Sequence, residues 1–144
     1  MRGSQDETHS PRAHGSFLAG AVGELAGVSG NTIGQWARWG YIRASQSDGD
    51  PHVYSVEDVA EAAMVHTLFE RGVSHMMVRR AIAHLGEYGR WPLSEAQLAV
   101  STEGARRRIF LREREGAYAL SPRGWQLMVA PPPMEDVRLR LRRS

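Results

Sequence analysis

The stretch Val22–Ile42, VGELAGVSGNTIGQWARWGYI, decides the fold. Val22, Leu25 and Ala26 recur at i, i+3 and i+4, which gathers apolar side chains on one helix face, and Gly27 stops that helix. After the tight connection Val28-Ser29-Gly30, Ser29 is placed to cap a second helix running to about Trp39, with Gly40 as its C-cap. Ile33 and Trp36 face inward, while Asn31, Gly34, Gln35 and Arg38 share the opposite face. Two short helices joined by so brief a turn read as a helix-turn-helix unit.

Downstream, Ser45–Pro51 (SQSDGDP) is turn chemistry with Asp-Gly at its centre. Flanked by Ile42-Arg43 and His52-Val53-Tyr54, it predicts a small hairpin, or wing. Ser55 then caps a longer helix with Glu57 and Asp58 in its first turn and an inner stripe of Val56, Val59, Ala60, Ala63 and Thr67, ending at Gly72. Ser74 caps a fourth helix, with Val78, Ala81, Ile82, Leu85 and Tyr88 inward.

After Trp91-Pro92 the period changes. Leu98–Val100, Ile109–Leu111, Tyr118–Leu120 and Trp125–Val129 are short strand-like runs separated by turn residues, which predicts a small antiparallel meander. Met134–Arg143 fits either a helix or a strand; acids first and Arg last favour a short C-terminal helix. Residues 1–17 lack apolar periodicity and read as a disordered leader. The expected organisation is therefore a mainly α chain with a small β part. It comprises a leader (1–17), a winged helix-turn-helix domain of four helices plus wing (18–90), and a β-rich extension (91–144).

Composition narrows the function classes. The chain of 144 residues is 42% hydrophobic and 24% charged, the balance of a folded domain rather than a disordered one. No run approaches the roughly 18 apolar residues of a membrane span, and no apolar signal core opens the chain, so a cytoplasmic protein without membrane partners is expected. With no cysteine, disulfides and Cys-ligated metal are excluded. His66, His75 and His84 are nine apart, which turns neighbours to opposite faces of a continuous helix, so they are read as structural or surface residues and no metal or cofactor is expected. No paired-carboxylate, phosphate-loop or nucleophile pattern is present, and the chain is not read as an enzyme.

All 18 basic residues are arginines, and their distribution matters more than the net charge of +2. Residues 92–144 hold ten arginines against six acids, so positive charge concentrates in the last third rather than in the helix-turn-helix. Pairing of Arg106, Arg107 and Arg108 with Glu113 and Glu115 across a hairpin is the expected use of part of it.

The stretch from Val22 to Leu85 resembles the DNA-binding domain of the mercury-resistance regulator (MerR) family. The residues that carry the resemblance are Gly23–Ser29, Thr32-Ile33, Trp36, Gly40-Tyr41-Ile42, Tyr54–Val59, Arg71–Ser74 and Val78–Ile82. It implies a transcriptional regulator whose second helix enters the major groove while the wing touches the flanking backbone. Carried over by position, Thr32, Gln35 and Arg38 would be groove or phosphate residues and His52 and Tyr54 wing residues; the expected mechanism has Asn31, Gln35 and Arg38 reading bases, with Thr32, Arg43, His52, Tyr54 and Arg79 holding the DNA backbone. The family usually has Arg at the positions of Gly34 and His52, so two phosphate contacts are missing here. The family's long dimerising helix is also missing. The segment that replaces it is similar to β-rich extensions of some MerR-type proteins and to antitoxin domains, on Glu103-Gly104, Ile109 and Gly124–Leu127. The alternative function is therefore an antitoxin or other interaction module that binds a protein such as a toxin through the β segment. A homo-oligomer, in the simplest case a homodimer, is expected in either case.

Overall fold

Two glycines with left-handed backbones set the layout of the N-terminal half. In the computed structural model, which describes residues 12–138, α1 (Ala19–Ala26) ends at Gly27 and α2 (Gly30–Trp39) ends at Gly40. Ser29 caps α2 as its position predicts, the Oγ accepting the Thr32 amide at 3.1 Å. α3 (Val56–Glu70) opens with a reciprocal box in which Ser55 Oγ accepts the Asp58 amide and the Asp58 carboxylate accepts the Ser55 amide. α4 (His75–Ala83) is capped by Ser74 and sends Val78 and Ala81 into the core, followed there by Leu85.

The inner stripe of α3 is not the one expected. Val56 is exposed, whereas Val59, Ala62, Ala63, Met64, Val65 and Leu68 are buried. The helix is enclosed from several sides, with α1 against it and the segment after Trp91 across it, so its apolar residues need not keep to one stripe.

A single-turn 3₁₀ segment (Gly86–Tyr88) and α5 (Pro92–Glu95) lead into a sheet, and both are too short for periodicity to reveal. The strands are β1 (Leu98–Ser101), β2 (Ile109–Glu113), β3 (Gly116–Ser121), β4 (Gly124–Leu127) and β5 (Met134–Asp136). They are antiparallel throughout, in the order β4-β3-β2-β1-β5. The expected meander is β1 to β4.

β5 is a correction, because the segment from Met134 was expected to be helical. Beside it, the outer edge of β1 offers unpaired backbone groups: Thr102 N–H donates to the Pro133 carbonyl at 3.1 Å and Val137 N–H to the Leu98 carbonyl at 2.9 Å. Several ladder bonds of about 0.5–1.5 kcal/mol each outweigh a helix-dipole term of roughly 0.3–1 kcal/mol. Met134 also packs on a small cluster of Ala99, Phe110 and Ala119 on the sheet face away from the helices. The rest of that expected helix, from residue 139, lies outside the described residues.

One apolar cluster runs through both halves. It joins Val22, Ile33, Trp36, Val59, Leu68 and Val78 of the helices to Leu93, Leu98, Val100, Ile109, Leu111 and Leu120 of the sheet segment. Trp91 is buried and donates its indole N–H to Asp58 Oδ1 at 2.9 Å, and Trp125 donates its own to the His84 carbonyl at 2.8 Å. The boundary expected at residue 90 falls inside this cluster.

The leader needs correcting at its end. Phe17 and Tyr54 exchange backbone hydrogen bonds at 2.8 and 2.7 Å, and the Val56 N–H donates to the His14 carbonyl at 2.7 Å. His14 also donates its backbone N–H to Glu57, at 2.8 Å. Residues 14–17 are thus tied to the start of α3, while residues 1–11 of the expected leader lie outside the described residues. The wing is shorter than predicted: Ser47 pairs with Val53 around a turn containing the cis Asp50–Pro51 bond, and Tyr54 pairs with Phe17. The leader has taken the strand position that Ile42-Arg43 was expected to fill. No helix among the described residues is long and apolar enough to cross a membrane.

Candidate nucleic-acid interface

α2 is anchored by one face and free on the other. Ile33 and Trp36 are buried, Trp36 lying 5.9 Å from Phe69 of α3 between ring centroids. Asn31, Gln35 and Arg38 are exposed on the opposite side, with nothing of the described chain covering them. Such a row of amide and guanidinium groups has the donors and acceptors that base edges in a major groove present. Thr32 is half-buried, and its hydroxyl lies 3.0 Å from Ser29 Oγ, so it belongs to the helix cap as much as to the surface.

Gly34 and the Arg38 side chain are neighbours on this face. A Cβ built on Gly34 would meet only Arg38 Nη1, at 3.7 Å, so the guanidinium lies back along the helix over the bare glycine backbone. Arg38 also acts on the Tyr54 hydroxyl. Burial first, and then Asp58, push that phenol above its ordinary range, and the Arg38 charge opposes them. The exposed face of α2 and the segment closing the wing are therefore electrostatic neighbours.

Of the other expected contacts, Arg43 and Arg79 are exposed. The Arg79 guanidinium sits 5.6 Å from the centre of the Tyr41 ring. His52 is half-buried, with Nδ1 2.7 Å from the Gly49 carbonyl. The carbonyl can only accept, so the Nδ1 proton is donated to it and Nε2 remains for other partners. Tyr54 does not join them. It is fully buried, and its hydroxyl is enclosed without a hydrogen-bond partner. Pairing with Phe17 turns this side chain into the core, out of reach of any backbone phosphate.

An aromatic group beside α2 was not assembled by sequence reasoning. Trp39, Tyr41, Phe69 and His75 lie within 4.3–6.3 Å of one another in successive ring contacts, and Trp39 is 46% exposed. His75 Nδ1 and the Tyr41 hydroxyl are hydrogen-bonded at 3.0 Å. Local spacing carries no signal for the meeting of these rings with α4.

Two buried acids brace the wing and the chain entering the sheet. Asp58 accepts from the Ser45 amide (2.8 Å), the Ser45 hydroxyl (2.7 Å), the Ser55 amide (2.9 Å) and Trp91. It ties the root of the wing to the sheet segment. Glu61 accepts the Leu93 and Ser94 amides at 3.0 and 2.7 Å and so caps α5. Burial raises its pKa above the usual glutamate value, against the lowering effect of those hydrogen bonds. The sequence signal for Asp58 was the Ser55-x-x-Asp58 spacing; nothing in the sequence marked Glu61.

The arginine-rich turn differs from expectation. Glu113 and Glu115 accept from the Tyr88 and Tyr118 hydroxyls, not from Arg106–Arg108; β5 instead forms ion pairs through Glu135 with Arg71 at the end of α3 and through Asp136 with Arg112 of β2. β5, which the helix expectation removed from the sheet, supplies both acids. No cluster of His, Asp or Glu suited to a metal ion occurs among the described residues.

Residues 18–85 match the family described as MerR HTH family regulatory protein. That span coincides with the four helices and the wing, and it does not extend into the sheet. No curated protein and no solved structure matches the chain.

Proposed function

We propose, from the premise that residues 18–85 are a MerR-family helix-turn-helix domain, that the protein is a DNA-binding transcriptional regulator of the bacterial cytoplasm. The observation that carries this reading is the exposed row Asn31, Gln35 and Arg38 on a helix whose other face is locked into the core. In this reading α2 lies in the major groove and those three side chains meet base edges. Thr32, Arg43, His52 and Arg79 hold the sugar-phosphate backbone, and Tyr54 serves the core alone. The guanidinium of Arg38 occupies the space over Gly34 where the family usually has an arginine of its own.

With arginine absent at positions 34 and 52, one copy offers few charge-assisted phosphate contacts, so useful affinity comes from two linked copies on paired sites. The test is selection of duplexes from a random pool, followed by titration of the enriched site against salt and protein concentration. Enrichment of one sequence, with cooperative binding that weakens as salt rises, is the expected result. Failure to enrich any sequence overturns the DNA-reading role, and tight non-cooperative binding by a monomer at physiological salt overturns the paired arrangement.

A second reading rests on β4, an edge strand that ends in the exposed Leu127 and is followed by the exposed Val129. Edge strands carry free backbone donors and acceptors that another chain can pair with, which suits a second copy or a protein partner such as a toxin. Leu127→Pro removes an outward-facing backbone donor from that edge, because the hydrogen-bonded pairs with β3 fall at Gln126 and Met128, and loss of self-association or of partner capture with DNA binding of one copy intact would favour it.

A further inference from the structure

The junction of the α3–α4 turn with the sheet holds a feature that DNA reading does not use. A cavity of about 220 Å³ is lined by Arg71, Val100, Ser101, Thr102, Arg107 and Glu135. Arg107, one of these residues, has its Nη1 enclosed without a hydrogen-bond partner. A buried guanidinium nitrogen left unpaired costs more than an ordinary lost hydrogen bond, so its placement calls for a partner. The placement itself is specific. The Arg107 stem crosses Gly72, where a Cβ would come within 3.2 Å of Arg107 Cγ and where the backbone is left-handed, with φ +90°. A side chain at residue 72 would displace Arg107.

The surrounding groups favour an anion. Arg71 is paired with Glu135, which leaves the Arg107 charge as the uncompensated one in the cavity lining. Ser101 Oγ accepts the Arg108 amide at 2.9 Å, so its own O–H remains free to donate, and Thr102 also lines the cavity. Two arginines and two hydroxyl-bearing residues lining one small space are the residue types that recognise phosphate or a similar oxyanion. The cavity lies below the roughly 300 Å³ at which pockets for drug-sized ligands begin, which fits an ion or a single phosphate group better than a large effector.

We infer that Arg107, with Arg71, Ser101 and Thr102, forms a binding site for a phosphate-sized oxyanion between the helix-turn-helix unit and the sheet. The bound group bridges the α3–α4 turn and β1, so occupancy braces the two halves of the chain against each other. A free phosphate and a phosphate of the DNA backbone share this chemistry, and the experiment separates them.

The full-length protein is titrated with inorganic phosphate and, separately, with duplex DNA, each against sodium chloride at matched ionic strength. Amide and arginine side-chain NMR shifts and the thermal unfolding midpoint are followed. Saturable one-to-one shifts at Ser101, Thr102 and Arg107, with a rising midpoint in phosphate, identify a free anion as the ligand; the same shifts with DNA alone identify a backbone phosphate. Arg107→Gln should weaken binding at least tenfold, and Thr102→Val, which alters an exposed side chain, should weaken it less while the fold is kept. The inference is overturned if neither titrant gives saturable shifts at these residues, or if a folded Arg107→Gln variant binds as the parent does.

Discussion

The indole N–H of Trp91 donates to Asp58 Oδ1 at 2.9 Å, and the other oxygen of the same carboxylate holds Ser45 and Ser55. One buried side chain therefore joins the root of the wing, the cap of α3 and the chain entering the sheet. Asp58→Ala leaves several enclosed donors unpaired and should destabilise the protein by at least about 3 kcal/mol. Urea denaturation measures this. A red shift in Trp91 emission should accompany it, and an unchanged midpoint would show that the four bonds are dispensable.

The shared core predicts joint unfolding. A chain ending at Trp91 loses Leu93, Leu98, Val100, Ile109, Leu111 and Leu120 from the cluster that also contains the helices. Each buried aliphatic side chain contributes roughly 1.5–3 kcal/mol, a sum beyond the usual margin of stability. Circular dichroism should show the truncated chain without a cooperative transition, whereas the whole chain unfolds in one step by both helix signal and tryptophan fluorescence. A truncated chain that melts sharply would establish residues 18–90 as an independent domain.

Glu61 gives stability a pH dependence of defined sign. Its folded pKa is raised, chiefly by burial, so the folded state holds the proton more strongly than the unfolded state. Its contribution is fully present below the ordinary glutamate range and is lost as pH rises through the raised folded value. Relative to the parent, Glu61→Gln should therefore gain stability as pH increases across that window. Denaturation midpoints of both proteins at a series of pH values test it, and parallel curves would refute it.

Tyr54→Phe separates core from interface. The hydroxyl is buried without a partner, so its removal should leave stability unchanged or raise it by up to about 1 kcal/mol, with DNA affinity unaltered. A fall in DNA affinity would return Tyr54 to the wing contacts.

Readout is tested on α2. Gln35→Ala and Arg38→Ala should each cost about 1–3 kcal/mol on a selected site and relax preference there. Gly34→Arg and His52→Arg should strengthen binding to all sequences alike, because each adds a phosphate contact rather than a base contact. Equal affinity of both alanine variants and the parent for the selected site would remove α2 as the reader.

The sequence by itself determined what short-range chemistry controls. The stops at Gly27 and Gly40, the caps at Ser29, Ser55 and Ser74, the inward Ile33 and Trp36, and the four strands β1–β4 all depend on residues within a few positions of one another. The outward row Asn31, Gln35 and Arg38 follows from the same helical period. Only the tertiary structure decided what depends on distant partners. Phe17 claimed the backbone of Tyr54 and turned that residue into the core, and the free edge of β1 drew Met134–Asp136 into the sheet against its own charge pattern. α3, enclosed from several sides, showed no single stripe, and Glu61 found its amides at Leu93 and Ser94, about thirty positions away. Local hydrogen bonds and periodicity are encoded in neighbouring residues. A ladder partner or a buried acid's donors are fixed only when remote segments meet, and the larger burial gained there overrides the weaker local preference.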